Sequence, residues 1–185
     1  MRYVEACRFL HEPIKQGDYA VSRQMAVELL TAAASIAPFT EEEATALVRH
    51  MHPYTIPAGE RFLIAEEQAD NDFMMLILSG EVLVESHIAE GQTLTINVLH
   101  AGNWVGELAL LDGSPRQADC RASDDGDVRC AIISRREFLR LLETEPYLIA
   151  KLTLLLANNI SSALRDMHQK MCRYAEIRNA IRTEL

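Results

Sequence analysis

The residues in short supply narrow the class of this chain. Only Cys7, Cys120, Cys130 and Cys172 stand in 185 residues. They form no C-x-x-C pair, and no histidine is read at ligand spacing beside them, so neither a disulfide framework nor a zinc or iron–sulfur centre is expected; buried free thiols are. Positive charge is scarce, with 18 Lys and Arg against 27 Asp and Glu and a net charge of −9. A duplex-binding protein neutralises phosphates with clustered cations, so nucleic acid is not an expected partner. No apolar run reads as a membrane span, and Met1 to Glu5 lacks a signal-peptide core; a cytoplasmic address and no membrane partner are expected. The chain also lacks a nucleophile with a base at recognisable spacing, a metal cluster and a Walker loop, which removes the grounds for expecting an enzyme or a cofactor. It has no internal repeat and no low-complexity tract.

What is present is a globular composition, 49% hydrophobic and 24% charged, of a length that suits one core with appendages. Residues Ala20 to Ala34 carry Val21, Met25, Ala26, Leu29, Leu30 and Ala33 at helical spacing. Beyond Pro38, Thr40-Glu41-Glu42-Glu43 reads as a capping box opening a second helix that runs to about His50. His50 and His52 lie two residues apart, on different sides of a helix, which argues against a shared metal.

From Tyr54 the pattern turns to short apolar runs punctuated by Gly, Asp and Asn, that is, successive antiparallel strands. Phe73 to Leu78 and Val82 to Val84 flank Ser79-Gly80-Glu81, a hairpin signal. Leu94, Ile96 and Val98 alternate with Thr93, Thr95 and Asn97, the period of a half-buried strand. Asp119 to Ala122 and Val128 to Ile133 read as two strands joined through Ser123-Asp124-Asp125-Gly126. Ser134-Arg135-Arg136-Glu137 is a second capping box, opening a helix that sets Phe138, Leu141 and Leu142 against the strands until Pro146. In the long final helix Ile160, Leu164, Met167, Met171 and Tyr174 step by four, three, four and three. That spacing fits a coiled-coil seam, the alternative being a helix packed on its own domain.

The chemistry concentrates between Gly106 and Ala118. Gly106 lets backbone approach a ligand, and the residues after it open a helical turn whose unpaired N–H groups favour an anion. The Arg116 guanidinium suits phosphate oxygens in a two-pronged contact, and Glu107 suits a hydroxyl.

Gly106-Glu107-Leu108-Ala109-Leu110, a short spacer, then Pro115-Arg116-Gln117-Ala118 resembles the phosphate-binding cassette of cyclic nucleotide-binding domains, the family of catabolite activator proteins, kinase regulatory subunits and nucleotide-gated channels. Gly59, Gly80 and Gly102 fall where that family turns its β-roll. The resemblance implies an α+β fold: an antiparallel β-roll, or jelly-roll, over 54–145, with N-terminal helices in 1–53 and a long C-terminal helix in 146–185. It implies that Arg116 holds a cyclic phosphate, Glu107 the ribose 2′-hydroxyl, and the backbone of Leu108 and Ala109 the remaining phosphate oxygens. Gly106, Gln117 and Ala118 complete the expected ligand site.

Four departures from the family pattern bear on the ligand. Gln117 stands where small residues are common and has the reach to crowd the phosphate or hydrogen-bond the base. Glu67 replaces a turn glycine, and Ala163 and Leu164 lie near where activators place hydroxyl residues. Asp119 either disfavours the phosphate or points into solvent. The chain ends at Leu185, so no helix-turn-helix domain is expected. The expected function is a non-catalytic sensor of a cyclic mononucleotide, cAMP or cGMP, that couples binding to movement of its C-terminal helix. A homodimer through that helix and an unnamed protein effector are its expected partners. The alternative is a degenerate roll that binds no nucleotide and serves protein interaction or dimerisation.

Overall fold

A computed structural model describes residues 16–65, 73–88 and 92–183, with backbone alone at 16–18 and 179–183; Cys7 and Glu67 lie outside the described residues. Two helices come first, α1 (Gln16–Ala32) and α2 (Glu41–Val48). Then follow β1 (His52–Ile56), β2 (Arg61–Leu63), β3 (Phe73–Ser79), β4 (Val82–His87), β5 (Thr93–Leu99) and β6 (Trp104–Val105). A short helix, α3 (Glu107–Asp112), precedes β7 (Asp119–Ala122) and β8 (Val128–Ser134), and α4 (Arg135–Thr144) and α5 (Pro146–Thr183) close the chain.

The strands form two four-stranded antiparallel sheets in the orders β1-β8-β3-β6 and β2-β7-β4-β5. The first sheet separates two cores. Along β3, Met74, Leu76 and Leu78 pack with the helices, while Phe73, Met75 and Ile77 face the interior of the roll. In β8, Ala131 and Ile133 join the first core and Val128, Cys130 and Ile132 the second. Strict alternation of side chains across a strand, with both faces covered, explains why β3 reads as an unbroken apolar run. Gly59, Gly80 and Gly102 turn the chain with φ of 74°, 87° and 89°, and at Gly80 a Cβ would lie 2.6 Å from the Asp127 carbonyl.

Both capping residues act as expected, with a difference. Thr40 Oγ1 accepts from Glu43 N at 3.3 Å and Thr40 N donates to Glu43 Oε2 at 2.8 Å, the full reciprocal box. Ser134 Oγ accepts from Glu137 N at 3.1 Å, but the Glu137 carboxylate is drawn instead to Arg140 and His50.

Several expectations need correction. Ser79-Gly80-Glu81 is not a hairpin turn, because β3 and β4 belong to different sheets; it is a corner, and so is the 123–126 turn from β7 to β8. The paired hairpin is β4–β5. Strand β5 is an edge with one neighbour, so Leu94, Ile96 and Val98 stay exposed instead of half-buried. Leu142 is exposed while Phe138 and Leu141 are buried. Cys120 and Cys130 are buried thiols, but Cys172 is exposed. One stretch within Pro146–Arg178 is, by length and composition alone, apolar enough to span a membrane, at mean hydropathy 1.3. Its apolarity has a packing cause, since Leu148, Ile149, Leu152, Leu155 and Leu156 are buried in the first core. From Ser162 to Arg178 every residue of α5 is exposed.

Candidate functional site

Strand β6 delivers the chain to Gly106, which stops the sheet and starts α3 in a left-handed conformation, φ 84° and ψ 9°. The Gly106 carbonyl accepts from Arg116 Nη1 at 2.7 Å, and the Phe73 carbonyl, at the start of β3, accepts from Arg116 Nη2 at 2.7 Å. The guanidinium carbon also lies 5.3 Å from the centre of the Phe73 ring. Arg116 is only 5% exposed, so a permanent positive charge sits inside the protein and is oriented by main-chain oxygens. A Cβ on residue 106 would stand 2.5 Å from Arg116 Nη1 and 3.0 Å from the Phe73 carbonyl. Glycine is therefore required twice, for its backbone angle and for the space the arginine occupies.

Helix α3 is one and a half turns long. Its first amides, those of Glu107, Leu108 and Ala109, precede any intrahelical acceptor, and Gly106 supplies no side-chain cap. Buried Leu110 anchors the helix to the first core, and Gly113 closes it by donating to the Ala109 carbonyl at 2.9 Å. Leu108 and Gln117 are exposed, while Gly106, Glu107, Ala109 and Ala118 are half-buried.

Burial raises the Glu107 carboxyl above its ordinary pKa, opposed by its own N–H and by the charge of Arg116. One strand away, burial pushes the Cys120 thiol up to about 12; Arg116 opposes the rise, while Asp119, Glu107 and Glu85 add to it. The cassette carboxylate, the arginine and Cys120 thus share one electrostatic neighbourhood.

Asp119 does not point into solvent. It is 1% exposed and hydrogen-bonded: Oδ1 accepts from Ala65 N at 2.7 Å, and Oδ2 lies 3.1 Å from His87 Nε2 and 3.3 Å from Arg61 Nη1. Beside it, buried Glu85 pairs with Arg61 at 3.5 Å and Arg121 at 3.3 Å. These acids are committed to the outer wall of the second sheet. Phe73 is the residue that sequence reasoning missed, because its contribution is a carbonyl and no side-chain pattern advertises that. Leu164 is exposed on α5. His168, one helical turn before Cys172, was also passed over; its Nε2 lies 3.7 Å from Cys172 Sγ, but among the described residues no group of three metal donors forms. Open grooves of about 550 and 280 Å³ lie along α2 and between α1 and α2. They hold no buried charge, so Arg116 and not groove volume marks the candidate site.

The family model described as cyclic nucleotide-binding domain matches residues 54–145. The chain is 27% identical over 146 residues to a cAMP-activated global transcriptional regulator of Haemophilus influenzae, covering 75% of this chain and 63% of that protein. It is 35% identical over 115 residues to a cAMP-dependent protein kinase regulatory subunit of Blastocladiella emersonii, covering 54% and 27% of the two chains. The crystal structure of a cyclic nucleotide-binding domain from Methylobacillus flagellatus is similar at TM-score 0.72 and 28% identity, over 80% of this chain and 81% of that one. The chain spans less than two thirds of the length of the regulators it matches.

Proposed function

Residues 54–145 belong to the cyclic nucleotide-binding domain family, and from that premise we propose that this chain is a non-catalytic sensor of a cyclic mononucleotide, with α5 carrying the signal to a partner. The observation that carries the reading is the buried Arg116 guanidinium beside the uncapped start of α3. A cyclic phosphate brings one negative charge and two exocyclic oxygens to that point. Arg116 supplies charge-assisted donors, and the amides of Leu108 and Ala109 supply a neutral cradle with the helix dipole behind it. Glu107 accepts from a ribose hydroxyl; being half-buried, its carboxylate gains from a donor that replaces lost water. Gln117 and Ala118 border the phosphate from the far side of the arginine. The name of the Haemophilus relative and that of the Blastocladiella subunit both favour cAMP as the first nucleotide to test.

The exposed apolar seam of α5 supports a second copy of the chain as this sensor's partner, with neither nucleic acid nor membrane needed for the reading. A second reading, a roll that binds no nucleotide, has one observation behind it: both terminal nitrogens of Arg116 already donate to main-chain carbonyls.

Calorimetric titration with cAMP and cGMP decides between them. The sensor reading expects saturable one-site binding that Arg116→Ala weakens by roughly two to four powers of ten, two charge-assisted bonds at about 1.5–3 kcal/mol each. No heat from either nucleotide, or equal affinity in the variant, selects the second reading.

A further inference from the structure

Helices α4 and α5 are separated by a single residue, Glu145, whose backbone leaves the helical region at φ −136° and ψ 55° before Pro146 restarts the helix. A signal that passes from the roll through α4 reaches α5 across that joint. Helix α2 touches both sides of it. At its first turn, Glu43 accepts from Lys151 of α5 through both carboxylate oxygens, at 2.8 and 2.6 Å, and Lys151 Nζ also donates to the Pro38 carbonyl at 3.0 Å. Just past its other end, His50 Nδ1 lies 2.8 Å from Glu137 Oε1 and 2.9 Å from Arg140 Nη2, both on α4.

We propose that α2 is a splint that fixes the α4–α5 angle, latched to α5 by Glu43–Lys151 and to α4 by His50–Glu137–Arg140. The seven steps from Glu43 to His50, which stands two residues past the end of α2, cover about 10 Å at helical rise, while the residues they grip, 137 and 151, lie on opposite sides of the break. Two anchors on a rigid rod define an angle that one anchor would not. The apolar faces of all three helices share the first core, but apolar contact is non-directional and tolerates sliding; the ionic anchors supply direction. Lys151 is 8% exposed although charged, with its ammonium near the Tyr147 ring at 5.1 Å. A cation so placed holds one position, because departure strips it of three acceptors.

The α4 latch is the more solvated of the two and is built on one imidazole nitrogen between a carboxylate and a guanidinium. Water competes for it more than for the buried lysine, so it is the weaker of the two anchors. The splint therefore sets a threshold: a ligand that needs another α4–α5 angle has to break it, so intact latches lower apparent nucleotide affinity and broken ones raise it. This affinity statement rests on the sensor reading; the mechanical one does not.

The test uses the full chain in two arms. Glu43→Gln keeps an oxygen for the Thr40 N–H but removes the charge, and Lys151→Met keeps length and apolar stem. Hydrogen exchange of the ligand-free protein, read at the amides of Glu145 and Ile149, which donate to the Leu141 and Glu145 carbonyls on either side of the joint, is expected to speed at least tenfold in either single variant. The double variant is expected to be no faster than the singles, since both remove one interaction, while protection in β3 and β8 stays unchanged. Unchanged exchange at the joint, or additive effects, overturns the splint. In the second arm, cAMP titration is expected to show about tenfold tighter binding by both variants. Equal or weaker binding overturns the threshold. A wild type that binds neither cAMP nor cGMP sinks the sensor reading and the threshold with it, and leaves the exchange arm to decide the splint by itself.

Discussion

Arg116 and Gly106 are bound to each other in two senses: the glycine carbonyl takes a hydrogen bond from Nη1 at 2.7 Å, and the missing glycine side chain is what leaves that nitrogen room, at 2.5 Å from where a Cβ would be. Gly106→Ala is therefore expected to strain the backbone at positive φ and to evict the guanidinium together. A cost of about 2–4 kcal/mol in stability is expected, checked by urea unfolding. A fully stable Gly106→Ala protein with unchanged nucleotide affinity contradicts the arrangement.

Glu107 is expected to oppose stability and support binding. Its folded pKa is raised by burial, so the ionised form is the disfavoured one in the native state, and stability falls as pH rises through the unfolded value toward the folded one. Glu107→Gln should raise the melting temperature of the ligand-free protein at pH 7. It should also weaken cAMP binding about five- to tenfold, the difference between a charged and a neutral acceptor for one hydroxyl. A variant that is less stable than wild type refutes the burial argument.

The Glu43–Lys151 pair has a calculable pH window. Hydrogen bonding to Lys151 holds Glu43 below its ordinary value of 4.5, and the same bond holds Lys151 above 10.5. The acid's contribution is present above 4.5 and lost as pH falls through its lower folded value; the lysine's is present below 10.5 and lost as pH rises through its higher folded value. Melting temperatures from pH 2 to pH 7 should fall less steeply on the acid side for Lys151→Met than for wild type. Parallel curves contradict the pairing.

The seam on α5 predicts a dimer. Leu164, Met167, Met171 and Tyr174 are each more than half exposed, on a helix whose earlier residues are buried in the core of their own domain. Sedimentation equilibrium is expected to give a dimer for wild type and a monomer for the Leu164→Glu, Met171→Glu double variant, in which like charges face each other across the seam. A wild type that stays monomeric at high micromolar concentration leaves the exposed stripe to some other use.

Much of the architecture was legible because local rules and packing agree. The Thr40 box, the glycine corners and the Gly106–Ala118 cassette are short-range signals, and each depends on residues within a dozen positions of one another. The pairing of strands was not legible. Ser79-Gly80-Glu81 has the composition of a hairpin turn, but whether such a turn folds a strand back or sends it to another sheet is decided by long-range partners, β8 for β3 and β7 for β4. Alternation in β5 was real, yet periodicity reports which residues share a face and not whether anything covers it. Asp119 was misread for a related reason: its partners Ala65, Arg61 and His87 lie 32 to 58 positions away, and a lone acid on a strand carries no mark of them. In the cassette, the residue types gave Arg116 and Glu107, and only the fold gave the Phe73 carbonyl that aims the arginine.

The partition formed by β3 and β8 has a consequence for how this protein fails. Because successive residues of each strand serve the helical core and the roll core in turn, neither half keeps its own wall when the other melts. Loss of the helices would strip one face of the partition and leave Met74, Leu76 and Ile133 against water; loss of the roll would do the same to Met75, Ile77 and Cys130. The two halves are thus expected to melt together, in a single all-or-none event whose calorimetric and van't Hoff enthalpies coincide.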